Sequence, residues 1–152
     1  MAKHNITHGM RNTKEYNTLS GMIQRCTSPG NPAYHNYGGR GIAICPEWRE
    51  SFVAFAQYVG EPPSNSHSLD RWPNRDGNYE PGNVRWATAK EQGRNRRGLI
   101  EIDYLGRRMC LAEAAEISGI TYGTLHSRIC KHGWPVEQAL TVPVVVGQKV
   151  RP

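Results

Sequence analysis

Asp70 and Arg71 stand side by side at the end of a short run, Ser68-Leu69-Asp70-Arg71. A turn-rich stretch, Asn74-Arg75-Asp76-Gly77-Asn78-Tyr79-Glu80-Pro81-Gly82, leads to Asn83-Val84-Arg85-Trp86-Ala87, and Thr88-Ala89-Lys90-Glu91-Gln92-Gly93-Arg94-Asn95-Arg96-Arg97 follows. These residue types suit one kind of chemistry. A carboxylate can hold a metal ion, a carboxamide can orient a neighbour, and a proton acceptor beside them can activate water. This is the layout of a small nuclease site.

Three elements must position these groups: strand, strand and helix. In the first strand, alternation puts His67, Leu69 and Arg71 on one face and Ser68 and Asp70 on the other. Strictly extended backbone would point Asp70 and Arg71 apart, although a strand end at the rim of a site commonly breaks alternation. Residues 73–82 form a loop that could cross a DNA groove. Asn83 to Ala87 reads as the second strand. Thr88 is placed as the N-cap of the helix, with Glu91 at the reciprocal position of a capping box. Gln92, Asn95 and Arg96 would then share one helical face.

With these residues in hand, the chain resembles the HNH (His-Me finger, ββα-metal) nucleases of phages and homing elements. Asn83 comes twelve residues after Arg71, and Gln92 nine after that, which is the spacing of the family's motif. The resemblance runs from about residue 8 to 143 and is most specific over 68–97. It implies an α+β fold, a ββα-metal core with flanking helices, and a single Mg²⁺ or Mn²⁺ ion, the hard cations that oxygen ligands suit. Carried over position by position, Asp70 is the metal ligand and Gln92 stands at the second ligand position, with Asn95 one turn later as the alternative. Asn83 would position whatever stands at Arg71.

The sequence departs from the family at the first His, the general base, which is Arg71 here. Arginine keeps its proton, with a pKa above about 12. Some restriction enzymes of the superfamily also carry Asp-Arg at this place. Arg71 would then clamp the scissile phosphate, and His67, three residues upstream, is the nearest candidate base; an ordinary surface histidine is the plainer reading of it. Two functions follow. One is a metal-dependent DNA endonuclease or nickase. The alternative is a catalytically inactive DNA-binding descendant, a regulator or inhibitor.

Upstream, residues 1–11 read as a disordered or loosely attached arm. Residues 14–26 read as a helix with Thr13 as N-cap and Tyr16, Leu19, Met22, Ile23 and Cys26 on one face. The run Tyr37-Gly38-Gly39-Arg40-Gly41-Ile42 resembles the one that precedes the motif in phage HNH-type proteins. Arg40 there is either a phosphate contact or part of a tight turn into a strand at Ile42–Ile44. Residues 46–59 read as one helix with an apolar stripe of Trp48, Phe52, Phe55, Ala56 and Val59.

Downstream, residues 100–110 read as a hairpin turning near Leu105-Gly106. Residues 111–118, a turn at Gly119, and residues 121–131 form a helix-turn-helix pattern. Thr121, Tyr122, Thr124 and His126 lie near the start of its second helix, where base contacts would be made; a plain helical hairpin is the other reading. Residues 133–141 resemble the tail of the DNA-reading modules that often follow phage HNH domains. The expected organisation is a nuclease domain over 1–98, with its core motif at 67–97, and a DNA-binding module over 99–152.

Composition agrees with a polyanionic partner, double-stranded DNA. The 152 residues carry 19 Lys+Arg against 13 Asp+Glu, a net charge of +6, and each phosphate contact releases condensed counterions. Arg94, Arg96, Arg97, Arg107 and Arg108 fall within fifteen residues, as phosphate contacts or as cations suited to a helix end. A mean hydropathy of −0.65 and 38% hydrophobic residues suit small modules. No apolar run nears the roughly 20 residues of a bilayer span, and Met1 to Asn5 carry no leader-like core, so a cytoplasmic location is expected, bacterial or in the host of a phage. Cys26, Cys45, Cys110 and Cys130 form no Cys-x-x-Cys pair, so no structural zinc and no disulfide framework are expected. A homodimer is left open.

Overall fold

The computed structural model describes residues 11–144. Helices and two small antiparallel sheets make an α+β chain. It forms two compact units, the first running to Asn95 and the second beginning at Arg96. Apart from Arg11, the expected N-terminal arm lies outside the described residues.

The first unit opens with α1 (Lys14–Thr27), whose first turn is capped by the Thr13 hydroxyl accepting from the Tyr16 amide. Leu19, Met22 and Cys26 bury one face, as their helical spacing requires. Two single-turn 3₁₀ segments follow, Tyr34–Asn36 and Gly38–Arg40. Gly38 has no room for a side chain: a Cβ there would lie 2.1 Å from the Cys26 carbonyl oxygen. The expected strand at Ile42–Ile44 reduces to one bridge, Ile44 beside Tyr79.

The long helix expected over 46–59 is two helices, α2 (Pro46–Glu50) and α3 (Phe52–Val59). Ser51 divides them. Its backbone is extended, and its hydroxyl accepts from the Ala54 amide as an N-cap. A serine side chain offers the backbone an alternative to continuing a helix. The break turns Trp48 and Phe55 onto one another, with ring centroids 5.5 Å apart in an edge-to-face pair. Both are fully buried beside Met22 and Leu19. Truncating a buried aromatic costs on the order of 3–5 kcal/mol, so this pair anchors the unit.

The motif follows as β1 (Ser68–Asp70), β2 (Arg85–Ala87) and α4 (Ala89–Arg94). The strands pair antiparallel with Asp70 opposite Arg85 and Leu69 opposite Trp86. The second strand is shorter than expected, since Asn83 lies before it and is buried. The capping box of α4 is formed: Thr88 accepts from the Glu91 amide, and the Glu91 carboxylate accepts from the Thr88 amide at 2.7 Å. The Thr88 amide and then the Thr88 hydroxyl, both donating to the Glu91 carboxylate at 2.7 Å, hold its carboxyl below the ordinary range.

In the second unit, β3 (Glu101–Tyr104) and β4 (Arg107–Cys110) form a hairpin. Its two turn residues, Leu105 and Gly106, both have positive φ, 52° and 73°, the signature of a type I′ turn. Helix α5 (Leu111–Ser118) ends at left-handed Gly119, and α6 (Tyr122–His126) is capped by Thr121. The expected helix to Lys131 changes character midway, becoming a π-helical turn over Ser127–Lys131. Helix α7 (Val136–Thr141) closes the unit. Its aliphatic core gathers Ile102, Met109, Leu111, Ala114, Leu125, Ala139 and Leu140. Arg128 is only 8% exposed. Its guanidinium donates to the carbonyls of Ala139, Val142 and Pro143 at 2.8, 2.7 and 3.1 Å and packs over the Trp134 ring.

No helix among the described residues is long and apolar enough to cross a membrane.

Candidate functional site

Asp70, the last residue of β1, and Arg71 just beyond it take separate side-chain partners. Asp70 turns to the end of α4, where one amide nitrogen of Asn95 donates to both carboxylate oxygens at 3.0 and 2.9 Å and to the Arg71 carbonyl at 2.7 Å. Asn95 can do this because α4 stops at Arg94. As the C-cap it has φ −101° and ψ 13°, which carries its side chain back over the strand. The carboxylate is 15% exposed, and the Arg85 Nη2 stands 3.7 Å from its Oδ2. That separation is an ion pair too long for a hydrogen bond.

Arg71 turns the other way, into the first unit. Its Nη1 donates to the Gly77 carbonyl at 2.9 Å, and its guanidinium carbon lies 5.2 Å from the rings of both Tyr37 and Tyr79. The Arg25 guanidinium also sits over Tyr37. Burial raises the Tyr79 phenol above its ordinary pKa, against the pull of Arg25 and Arg71. Burial likewise raises the Cys26 thiol. Arg71 thus fastens a loop to an aromatic wall. The Arg71 guanidinium, expected as a phosphate clamp, has one Nη1–H on Gly77 and its plane against two tyrosines.

Asn83, 7% exposed, organises the same loop from within. Its side-chain oxygen accepts from the Asn74 amide at 2.8 Å, and its nitrogen donates to the carbonyls of Asn74 and Asn78 at 2.9 and 2.8 Å. Gly77 must be glycine for this clamp to close, since a Cβ there would lie 2.8 Å from the Asn83 nitrogen. Asn83 therefore acts on the loop that receives the Arg71 guanidinium, and orients Arg71 through that loop.

Gln92 is also relocated. Its amide donates to the carbonyls of Ser68 and Ala87 at 3.2 and 3.1 Å and to the Ser68 hydroxyl, tying α4 to both strands. The side chain that meets Asp70 is Asn95, not Gln92. His67 lies just before β1, its Nδ1 bonded to the Ser64 hydroxyl at 2.9 Å, and it contributes to the field at Glu91.

The expected DNA contacts fall into several settings. Arg40 is ion-paired with Asp76 at 2.8 Å, so it braces the 74–78 loop from outside. Arg94 ends α4, while Arg96 and Arg97 are exposed and follow it, so Arg96 does not share a helical face with Gln92. Arg107 and Arg108 lie on β4, not at a helix end, and pair with Glu113 at 3.0 Å and Glu101 at 2.9 Å. At the start of α6, Thr121 and Tyr122 are exposed, and Thr124 and His126 are half-buried. The rings of Tyr122 and His126 lie 5.9 Å apart.

Two residues at the Asp70 rim were not foreseen, Arg85 and Trp72. The Arg85 guanidinium carbon sits 4.8 Å above the Trp72 ring, and Trp72 is 48% exposed. The strand register would have revealed Arg85, because pairing Leu69 with Trp86 puts Arg85 opposite Asp70.

Among the described residues no three or more of His, Cys, Asp and Glu gather as a metal cage. The oxygen donors at the rim are the Asp70 carboxylate and, with its amide turned over, the Asn95 side chain. Comparison with known proteins finds no matching family model, curated protein or solved structure.

Proposed function

We propose that the chain is a metal-dependent DNA endonuclease or nickase. In this reading β1, β2 and α4 are a ββα-metal core of the HNH type, and α5 and α6 form a helix-turn-helix-like module that contacts double-stranded DNA. The observation that carries the reading is the meeting of Asp70, Asn95 and Arg85 at one partly open rim. A carboxylate, a carboxamide and a guanidinium are what a hydrated cation and a phosphodiester need between them. One carboxylate and one amide oxygen suit Mg²⁺ or Mn²⁺, which keep several waters and borrow ligands from substrate phosphates. Bound there, such an ion would stabilise charge developing on the scissile phosphate and the leaving oxygen.

The protein's own parts are then divided. Asp70 and Asn95 hold the ion, with Asn95 in the place the motif spacing gave to Gln92. Arg71 and Asn83 build the loop beside them. His67, bonded through Nδ1 to the Ser64 hydroxyl just before β1, is the nearest histidine in sequence and stands as the candidate proton acceptor. In the α6 surface, Tyr122 and its neighbours offer hydrogen bonds and an aromatic face to DNA bases, while Arg96 and Arg97 offer charge to its phosphates.

A second reading, a DNA-binding regulator or inhibitor that does not cleave, is favoured by one observation: the position of the family's base holds Arg71, whose guanidinium is committed to Gly77. Plasmid incubated with Mg²⁺ or Mn²⁺ separates the two. The endonuclease reading expects nicked or linear product that EDTA abolishes and that Asp70→Ala reduces to background. DNA binding without cleavage under either metal makes the regulator reading the right one. Cleavage by Asp70→Ala at the wild-type rate removes Asp70 from the site.

A further inference from the structure

We infer that Arg85, held by Trp72, is the guanidinium that receives a DNA phosphate at the Asp70 rim, the role its neighbour in the motif cannot fill. The inference rests on the DNA-binding reading above and names a residue within it. Arg71 has its Nη1 bonded to Gly77 and its plane against Tyr37 and Tyr79. Arg40 is hydrogen-bonded to Asp76 at 2.8 Å. Arg85 differs from both. Its side chain is 32% exposed and stands 3.7 Å from Asp70, in electrostatic contact only. Its Nε is buried and meets no hydrogen-bond partner among the described residues, and its Nη2 makes only the long ion pair to Asp70. The fold therefore leaves the Nη groups of this partly exposed side chain without a hydrogen bond, beside the carboxylate assigned to the ion.

Trp72 supplies the positioning. The guanidinium lies over the indole at 4.8 Å, a contact that fixes its plane without using its N–H groups. A planar fork held by its face presents its edge, and the edge is what binds two phosphate oxygens at once. A partly exposed ion pair to Asp70 at this separation is weak and salt-screened, so an arriving phosphate competes with it easily.

The test measures binding of the full chain to a short labelled duplex in EDTA over a range of NaCl, which separates phosphate contact from cleavage. Arg85→Gln is expected to lower the salt slope by about 0.9, the loss of one phosphate contact on B-DNA. Arg85→Lys should keep the slope but bind several-fold more weakly, because it keeps the charge and loses the fork. Trp72→Leu should also weaken binding at unchanged slope, and Trp72→Phe should restore most of it; a merely structural role would move the melting temperature instead. If wild type binds and Arg85→Gln has the wild-type slope, the assignment of Arg85 is overturned while the DNA-binding reading stands. If Trp72→Leu binds like wild type, the positioning role is overturned. If wild type binds no duplex at low salt, the functional reading itself falls and this inference with it.

Discussion

The two antiparallel hairpins of this chain are built by opposite means. The β3–β4 pair turns through two residues, Leu105 and Gly106, and its ends close on an aliphatic core. The β1–β2 pair is no longer but carries residues 71–84 between its strands. That connection has little regular structure and is assembled by side chains bonding backbone: Asn83 to Asn74 and Asn78, Arg71 to Gly77, Asn78 to Ala43. The difference teaches how to sort a motif. Its polar residues look alike in sequence, yet Arg71, Asn83 and Gln92 bond backbone carbonyls of the loop and strands, while Asp70, Asn95 and Arg85 meet one another at the strand rim.

If that sorting is right, the heaviest effect on stability falls on Asn83. Asn83→Ala removes three part-buried hydrogen bonds to loop backbone, each worth roughly 1 kcal/mol, so the first unit should lose about 3 kcal/mol in urea unfolding. A loss below about 0.5 kcal/mol would mean that the loop holds itself and the comparison collapses. Gly106→Ala probes the other hairpin. A side chain at φ 73° costs about 1 kcal/mol, and amide exchange in β3 and β4 should quicken while the first unit is untouched. Equal quickening in both units would show that the two hairpins are not independent.

The smallest effect is in alkaline solution. The buried Tyr79 phenol holds its proton more tightly folded than unfolded. Its contribution is therefore complete below the ordinary tyrosine value of about 10 and is lost as pH rises through the higher folded value, because the native state then binds more protons than the unfolded one. The Cys26 thiol acts in the same direction. Stability of the first unit should decline above about pH 9, and Tyr79→Phe should flatten that decline. An identical decline in the variant would remove Tyr79 as its source.

Local signals made much of the fold legible. The Thr13 cap, the Thr88–Glu91 box and the Leu105-Gly106 turn each depend on neighbours within a few residues, and all three form. Ser51 was not legible, because the apolar stripe from Trp48 to Val59 keeps its period straight across the break. Asn95 was legible as the alternative to Gln92, but the choice between them was not, because the contact with Asp70 depends on the helix stopping at Arg94. Arg85 escaped because its neighbour across the sheet is set by register, which chain order alone does not give. Alternation allowed both a parting and a convergence of Asp70 and Arg71 at the strand end, and their side chains take separate partners.

Arg128 has a consequence for how the second unit opens. Its one cation satisfies carbonyls at and beyond the end of α7, up to fifteen residues along the chain. Fraying the last turn of α7 would strand a charge among apolar neighbours, and unwinding the π-helical turn would strand the carbonyls. Neither can be lost cheaply alone, so α7 and the turn form one cooperative element whose local unfolding is all or none. A short helix whose last turn would ordinarily be among the first to exchange with solvent is thereby given the protection of the core it packs on.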